Sequence, residues 1–348
     1  MVFEGFPFII GWELTLECNM RCRHCGSVAG MRRTKELSTK EALSLCDQFP
    51  DLLVREVDLT GGEPLLRDDW MQIAKHLNDL NIPVNVLTNG LVIDEKMIRK
   101  MNECKITGAG LSIDGPQNVH DRIRNYNGSY EKAVNAIKLF QEAGIGYNII
   151  TTVNRENIGF LPSMNEAFKS LGVAFWRLQP LIQTGRARKS PGLELGDSEM
   201  LSLGEFVRSQ AREAESGSPE IICSDGLEYV KKTGDGERPW RGCPAGIVSC
   251  GIMSDGRIKG CLSMPDEVCE GNIRDQSLWD IWFSPDSFRY TRVFSADDAG
   301  PLCAKCEKIG ECKGGCSSSS YAGTGVFHND PSCFFRAEKK AGGIKNES

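Results

Sequence analysis

Residues 17–25 read Glu-Cys-Asn-Met-Arg-Cys-Arg-His-Cys, which sets Cys18, Cys22 and Cys25 at C-x3-C-x2-C spacing directly after the apolar run 8–16. Three thiolates on one short loop can hold three irons of a [4Fe–4S] cluster. Such clusters ordinarily take four cysteines. The fourth iron is then open to something other than protein, and an open iron is a place for chemistry rather than for electron transfer alone.

Working outward, the first half of the chain alternates. Residues 8–16, 54–60, 84–88, 110–113, 147–153 and 173–178 are mostly short β-branched runs bounded by Gly, Pro or Asn, and read as strands. Ser38-Thr39-Lys40-Glu41 is a capping box that opens a helix to about residue 49. Residues 69–80, 94–101, 130–143 and 161–171 carry apolar side chains at helical spacing. Gly144 and Gly172 stand where helix C-caps belong. Six βα units imply a parallel sheet, and six is fewer than the eight of a closed barrel. We expect an α/β fold: a partial, TIM-like (β/α)6 barrel, open on one side. In such folds the site lies at the C-terminal edge of the strands. The cysteine loop, "TGGEP" at 60–64, "TNG" at 88–90 and "SIDGP" at 112–116 all fall on that edge.

Composition narrows the class. The 348 residues are 40% hydrophobic and 25% charged, as in a soluble globular protein. No apolar run is long enough for a membrane helix. The first ten residues lack a basic segment and carry Glu4, which argues against a signal peptide. A net charge of −6 argues against a nucleic-acid binder. The basic runs 31–35 and 185–190 read as solvated loops. Fifteen cysteines without a secretory signal point to metal or cluster binding in a reducing cytoplasm rather than to disulfides.

The three-cysteine loop after a first strand, with GGEP after the second, resembles the radical S-adenosylmethionine (radical SAM) superfamily over residues 8–183. The resemblance implies that the open iron chelates the amino and carboxylate groups of SAM. One-electron cleavage of SAM then yields a radical that takes a hydrogen atom from substrate. By the same resemblance, Gly61 and Gly62 let backbone approach the methionyl group, Glu63 holds its ammonium, Pro64 fixes the turn and Thr60 flanks the site. Ser112 would touch the ribose, with Asp114 beside it. Arg124 would reach the methionyl carboxylate, Asn154 is a further contact, and Leu178 would pack on the adenine. His24 would stack near the adenine, or serve as a ligand if the loop held zinc.

The later cysteines resemble the SPASM extension of radical SAM enzymes. Cys243 and Cys261 frame a C-x12-G-x4-C pattern; Cys303, Cys306, Cys312 and Cys316 follow at C-x2-C-x5-C-x3-C, then Cys333. The resemblance implies a small α+β domain with two auxiliary [4Fe–4S] clusters, one on Cys243, Cys261 and Cys316, the other on Cys303, Cys306, Cys312 and Cys333. Cys250 is the candidate for the ligand missing from the first, with Cys269 behind it; a buried strand cysteine is the alternative for Cys250. A zinc site is the alternative for 303–316. We therefore expect a barrel at 1–183, a linker at 184–237, a SPASM domain at 238–337 and a disordered tail at 338–348.

Enzymes with this extension chiefly modify ribosomal peptides, so a peptide maturase is the first expectation. Tetrapyrrole side-chain decarboxylation or alcohol oxidation is the second, and a non-catalytic iron–sulfur or zinc scaffold the third. The sulfatase-maturing branch carries an aspartate after the second cysteine of the extension; here that residue is Leu262, which leaves no evident base. The barrel begins almost at once, so a peptide leader would bind the barrel or a separate leader-binding protein. A low-potential ferredoxin or flavodoxin is the expected electron donor.

Overall fold

A computed structural model describes residues 5–212, 217–227, 230 and 242–346. Its strands form one sheet, ordered β10-β9-β8-β1-β2-β3-β4-β5-β6-β7. The central six match the strands read from sequence: β1 (Ile9–Thr15), β2 (Glu56–Gly61), β3 (Val84–Thr88), β4 (Gly108–Ser112), β5 (Gly146–Val153) and β6 (Phe175–Pro180). All pair in parallel. Between them run α1 (Thr39–Cys46), α2 (Trp70–Asp79), α3 (Glu95–Glu103), α4 (Gln117–Arg124), α5 (Ser129–Ala143) and α6 (Leu161–Ser170). Helix α4 has no counterpart in the sequence reading, because Val119 and Ile123 are its only buried apolar residues.

The architecture is the expected open, partial α/β barrel with a cysteine-rich C-terminal region, but six strands undercount it. β7 (Glu220–Cys223) extends the parallel order beyond β6, from a stretch read as linker. β8 (Ser249–Ile252) pairs in parallel with β1 at the other edge. β9 (Arg257–Lys259) and β10 (Gly271–Asn272) continue from it antiparallel. These added strands are two to four residues long, too short for an alternation signal.

Side-chain alternation assigns the two faces of the sheet. On β1, Ile10, Trp12 and Leu14 are fully buried, and Trp12 meets Phe49 edge-on at 6.1 Å beyond α1. Gly11 and Glu13 therefore face the barrel interior. On β6, Trp176 is packed at 5.0 Å by Phe168 of α6 and at 5.8 Å by Phe206 of α7 (Asp197–Arg212). Arg177 and Gln179 are left on the inner face.

Beyond the sheet, short helices α8 (Leu278–Phe283), α9 (Arg289–Arg292), α10 (Ile309–Cys312) and α11 (Ser317–Thr324) carry the cysteine-rich region. The stretch expected to be a disordered tail is instead mostly helix: α12 spans Phe334–Asn346. Phe334 seats over Gly204 of α7, where any Cβ would run into its ring. Arg208 and Glu338 pair at 2.6 Å, as do Lys340 and Asp197. Residues 347–348 lie outside the described residues, as does the expected start of the cysteine-rich module at 238. No helix among the described residues is long and apolar enough to cross a membrane.

Substituting Gly204→Ala should displace Phe334 and cost about 1–3 kcal/mol, the usual penalty of overpacking. A lowered thermal transition, recovered by adding Phe334→Leu, is the expected readout.

Candidate active site

The site begins where β1 and β2 end. Beyond the strands their backbones stay zipped: the Gly62 N–H donates to Thr15 O at 2.8 Å and the Glu63 N–H to Glu17 O at 2.7 Å. Gly61 has φ +138°, and a Cβ on either glycine would collide with the backbone of Thr15 or Glu17. The glycines thus seat the cysteine loop itself, a closer constraint than room for a ligand. The loop is tied elsewhere too. Cys18 N–H donates to Gly30 O at 3.1 Å, and Arg23 N–H to Ile123 O at 2.9 Å.

Arg186 holds the other side of the loop. Its backbone N–H donates to Cys25 O at 2.9 Å. Its guanidinium donates to Cys22 O at 2.7 Å and Ala29 O at 2.9 Å. The run 185–190 is therefore a buttress, not the solvated loop expected from its charge. Arg33, from the run 31–35, likewise pairs with the buried Glu13 at 2.8 Å. Arg186 looked idle because carbonyl acceptors leave no mark in sequence, and Arg33 because its carboxylate partner lies twenty residues away.

The loop brings Cys18, Cys22 and Cys25 within mutual electrostatic reach. Burial pushes the Cys18 thiol up to about 11. Burial also raises Cys22, while Arg124 opposes the shift. Both thiols wait for a metal to take their protons. Beside them Glu63 is fully buried. It accepts from Thr88 Oγ1 at 3.0 Å and from the Asn89 N–H at 2.9 Å. Burial nevertheless pushes its carboxyl up to about 7. Among the described residues no cation forms an ion pair with it. A buried carboxylate lacking a cation, next to three thiols, fits the ammonium of an amino acid. Thr88 and Asn89 belong to the "TNG" strand-end motif, the signal that marks them.

Arg124 sits on the far side, buried, with Nε 2.6 Å from Asp114 Oδ2, and faces Cys22. Asp114 is occupied in holding it. Its other oxygen accepts the Thr152 N–H at 2.9 Å, and Arg124 holds the carboxyl below its usual range against burial. Asp114 thus positions Arg124 and is not itself free for a ligand. His24 Nε2 lies 3.5 Å from Asp114, and burial lowers the imidazole to about 4, so it stays neutral. Ser112 is half-buried on the inner face at the end of β4, and Thr60 holds the equivalent place on β2. Pro64 opens a 3₁₀ turn, Pro64–Leu66.

Two expected SAM contacts are corrected. Leu178 is fully buried in the core on the helix side, sharing the face of Trp176, because β6 alternates. Asn154 Nδ2 donates to Thr152 O at 3.0 Å and its Oδ1 accepts the Glu156 N–H at 3.0 Å. Its amide shapes the turn after β5.

The later cysteines form two groups. Cys243, Cys261 and Cys316 act on one another and on Asp225. Cys303, Cys306, Cys312 and Cys333 line one cavity. Among the described residues no three His, Cys, Asp or Glu side chains converge on a single-ion site. Cys250 does not join the first group. It pairs with Ile10 in register and lies in the apolar core, whereas its neighbour Gly251 faces Cys261 and Leu262. Alternation along β8 points the two in opposite directions.

Comparison with known proteins agrees with this geometry. The model of the Radical SAM superfamily matches residues 12–164. SPASM, an iron-sulfur cluster-binding domain, matches 243–307. The AdoMet-dependent heme synthase of Methanosarcina barkeri is 30% identical over 348 residues, covering 96% of this chain and 98% of that protein. Mycofactocin maturase MftC of Mycolicibacterium smegmatis is 27% identical over 334 residues, covering 94% and 82%. The crystal structure of Streptococcus suis SuiB bound to S-adenosylmethionine shares the fold, with a TM-score of 0.74 at 17% identity, over 95% of this chain and 76% of that one. The chain belongs to the radical SAM superfamily, in its SPASM-bearing branch. It is an enzyme, and its cofactors are iron–sulfur clusters and SAM.

Glu63→Gln should weaken SAM binding about 10- to 100-fold, the loss of one charge-assisted hydrogen bond, measured by anaerobic calorimetry. Because the free carboxyl titrates near 7, SAM affinity should rise between about pH 6 and pH 8 as the carboxylate forms, and this slope should vanish in the variant.

Proposed function

We propose that this enzyme acts on an iron tetrapyrrole and removes side-chain carboxylates by radical decarboxylation. The observation that carries the reading is the end-to-end similarity to an AdoMet-dependent heme synthase, 30% identical over nearly the whole of both chains. In this reading Cys18, Cys22 and Cys25 hold the SAM-binding cluster, Glu63 the ammonium, Arg124 the carboxylate and Ser112 the ribose. The two C-terminal groups of cysteines would hold two auxiliary clusters. When bound, the cluster and SAM supply hydrogen-atom abstraction.

The chain's own residues suit the chemistry that follows. A propionate that has lost a hydrogen atom from the carbon β to its carboxylate breaks the bond to that carboxylate. Carbon dioxide leaves, a carbon–carbon double bond forms, and one electron passes to an acceptor. No proton is removed from the radical, so no side-chain base is required. Leu262, which faces Gly11 and Gly251, is in keeping with that. Arg177 on the inner face of β6 has a buried Nε without a hydrogen-bond partner among the described residues. Its charge bears on Asp225, and in this reading the unpartnered Nε edge takes a substrate carboxylate. The auxiliary cysteines would hold the electron acceptor, and a low-potential ferredoxin or flavodoxin in the cytoplasm would reduce the SAM-binding cluster.

A peptide substrate, the first expectation from sequence, keeps support from the similarity to mycofactocin maturase MftC. A separate leader-binding protein belongs to that second reading.

The test is anaerobic reconstitution, reduction and incubation with SAM and iron-coproporphyrin. Expected are 5′-deoxyadenosine and a product lighter by carbon dioxide and two hydrogens per side chain. Cys22→Ala should abolish both. Arg177→Ala should raise KM for the porphyrin about 10- to 100-fold while SAM cleavage persists. SAM cleavage by the wild type with the porphyrin unchanged would overturn the reading.

A further inference from the structure

We propose that Asp225 is the fourth ligand of the first auxiliary cluster, capping the iron that Cys243, Cys261 and Cys316 leave without a thiolate. The inference rests on the reading of two auxiliary clusters given above.

The placement comes from β7 and the turn that follows it. Ser224, Asp225 and Gly226 leave the C-terminal edge of the sheet. Asp225 has φ +58° and Gly226 φ +89°. Two successive left-handed residues reverse the chain there, a conformation that Asp tolerates better than most side chains. Gly226 then lies against Cys316 and Asp330. As a result the Asp225 Oδ1 stands 3.9 Å from Cys316 Sγ, and its charge bears on Cys243 and Cys261 as well.

The other candidates are already engaged. Asp330, the second carboxylate nearby, accepts from Ser319 Oγ at 2.6 Å and the Ser332 N–H at 2.8 Å on one oxygen, and from the Cys316 N–H at 3.0 Å on the other. Cys250 points into the core on the opposite face of its strand. Cys223 lies in the apolar core beside Ile221. Cys269 is exposed, with its thiol turned to Gly271 O at 3.2 Å. Among the described residues no N–H or O–H group donates to the Asp225 carboxylate. Its partners are the Cys316 thiol, which a cluster iron would replace, and the charge of Arg177. The Tyr290 hydroxyl, also buried without a hydrogen-bond partner among the described residues and near Cys243 and Cys261, is a neutral phenol and a weaker ligand than a carboxylate. A four-iron cluster, with one ligand on each iron, would satisfy the Asp225 carboxylate and the three thiolates together.

The assignment gives the segment read as linker a chemical task. It also makes the ligand set mixed, with one hard oxygen among soft sulfurs. An oxygen ligand is more readily displaced than a thiolate, and replacing thiolate ligands raises a cluster's potential, as imidazole does in Rieske centres.

The test uses the full chain, reconstituted anaerobically, reduced, and saturated with S-adenosylhomocysteine, which offers the same amino and carboxylate groups without a sulfonium to cleave, to cover the first cluster. Carbon-13 cyanide is the probe for an uncapped iron. Wild type should carry about twelve irons, four per cluster, and show no carbon-13 coupling in pulsed electron paramagnetic resonance. Asp225→Ala should either gain that coupling or lose about four irons. Asp225→Cys should keep the iron, show no coupling, and give one reduced cluster with altered g values and a lower midpoint potential. Wild type holding about eight irons would sink the reading of two auxiliary clusters. About twelve irons with cyanide already bound in wild type, or an Asp225→Cys spectrum identical to wild type, would sink the role of Asp225 alone.

Discussion

The backbone zip between residues 15–17 and 61–63 is the constraint on which the site depends. Two N–H groups past the end of β2 bond to two carbonyls, one on the last residue of β1 and one just past it. Each crossing comes so close that only glycine fits at 61 and 62. Because it is a backbone contact, it fixes the cysteine loop in the same frame as Glu63, with no flexible side chain in between. The positions of the thiols and the carboxylate are thus set by sheet geometry. Preorganisation of this kind is what lets a bound cofactor be oriented without reordering the protein.

The charges around the loop are divided into two arrangements. Arg124 and Asp114 are buried as a pair, each satisfied by the other, and Thr152 and His24 close the remaining approaches. Glu63 is buried without an ion-pair partner among the described residues and is held by Thr88, Asn89 and the Leu65 backbone. Breaking a buried pair is costly, and leaving a single buried charge is costlier still. The unpaired carboxylate therefore stores a demand for a cation, while the pair stores none. The two arrangements stand on opposite sides of the same three thiols.

Much of this was legible in the sequence because it is written in local patterns. The cysteine spacing, GGEP and the six central strands each rest on neighbours in the chain. What was missed depends on partners far away. Arg186 looked solvated because its acceptors are carbonyls. Leu178 and Cys250 sit at suggestive places, but their directions are decided by the alternation of a strand whose register no single residue reveals. β7 and β8 are too short to declare themselves, yet they border the sheet. Residues 338–346 look like a tail until Gly204 on another helix provides the notch for Phe334. Asp225 lay unremarked in a presumed linker because nothing about one aspartate after a four-residue strand signals that three distant cysteines will surround it.

The pairing of β8 with β1 has a consequence for biogenesis. Strand β1, made first, cannot complete its hydrogen bonding until the ribosome has passed residue 252. Until then one margin of the sheet is bare, and a bare margin invites association with other chains. Contacts so distant in sequence also form slowly. The strand that launches the first cysteine loop and the strand that leads toward Cys261 are thus joined late. The sheet margin beside the first cysteine loop is therefore closed by the same pairing that brings the cysteine-rich region against the barrel.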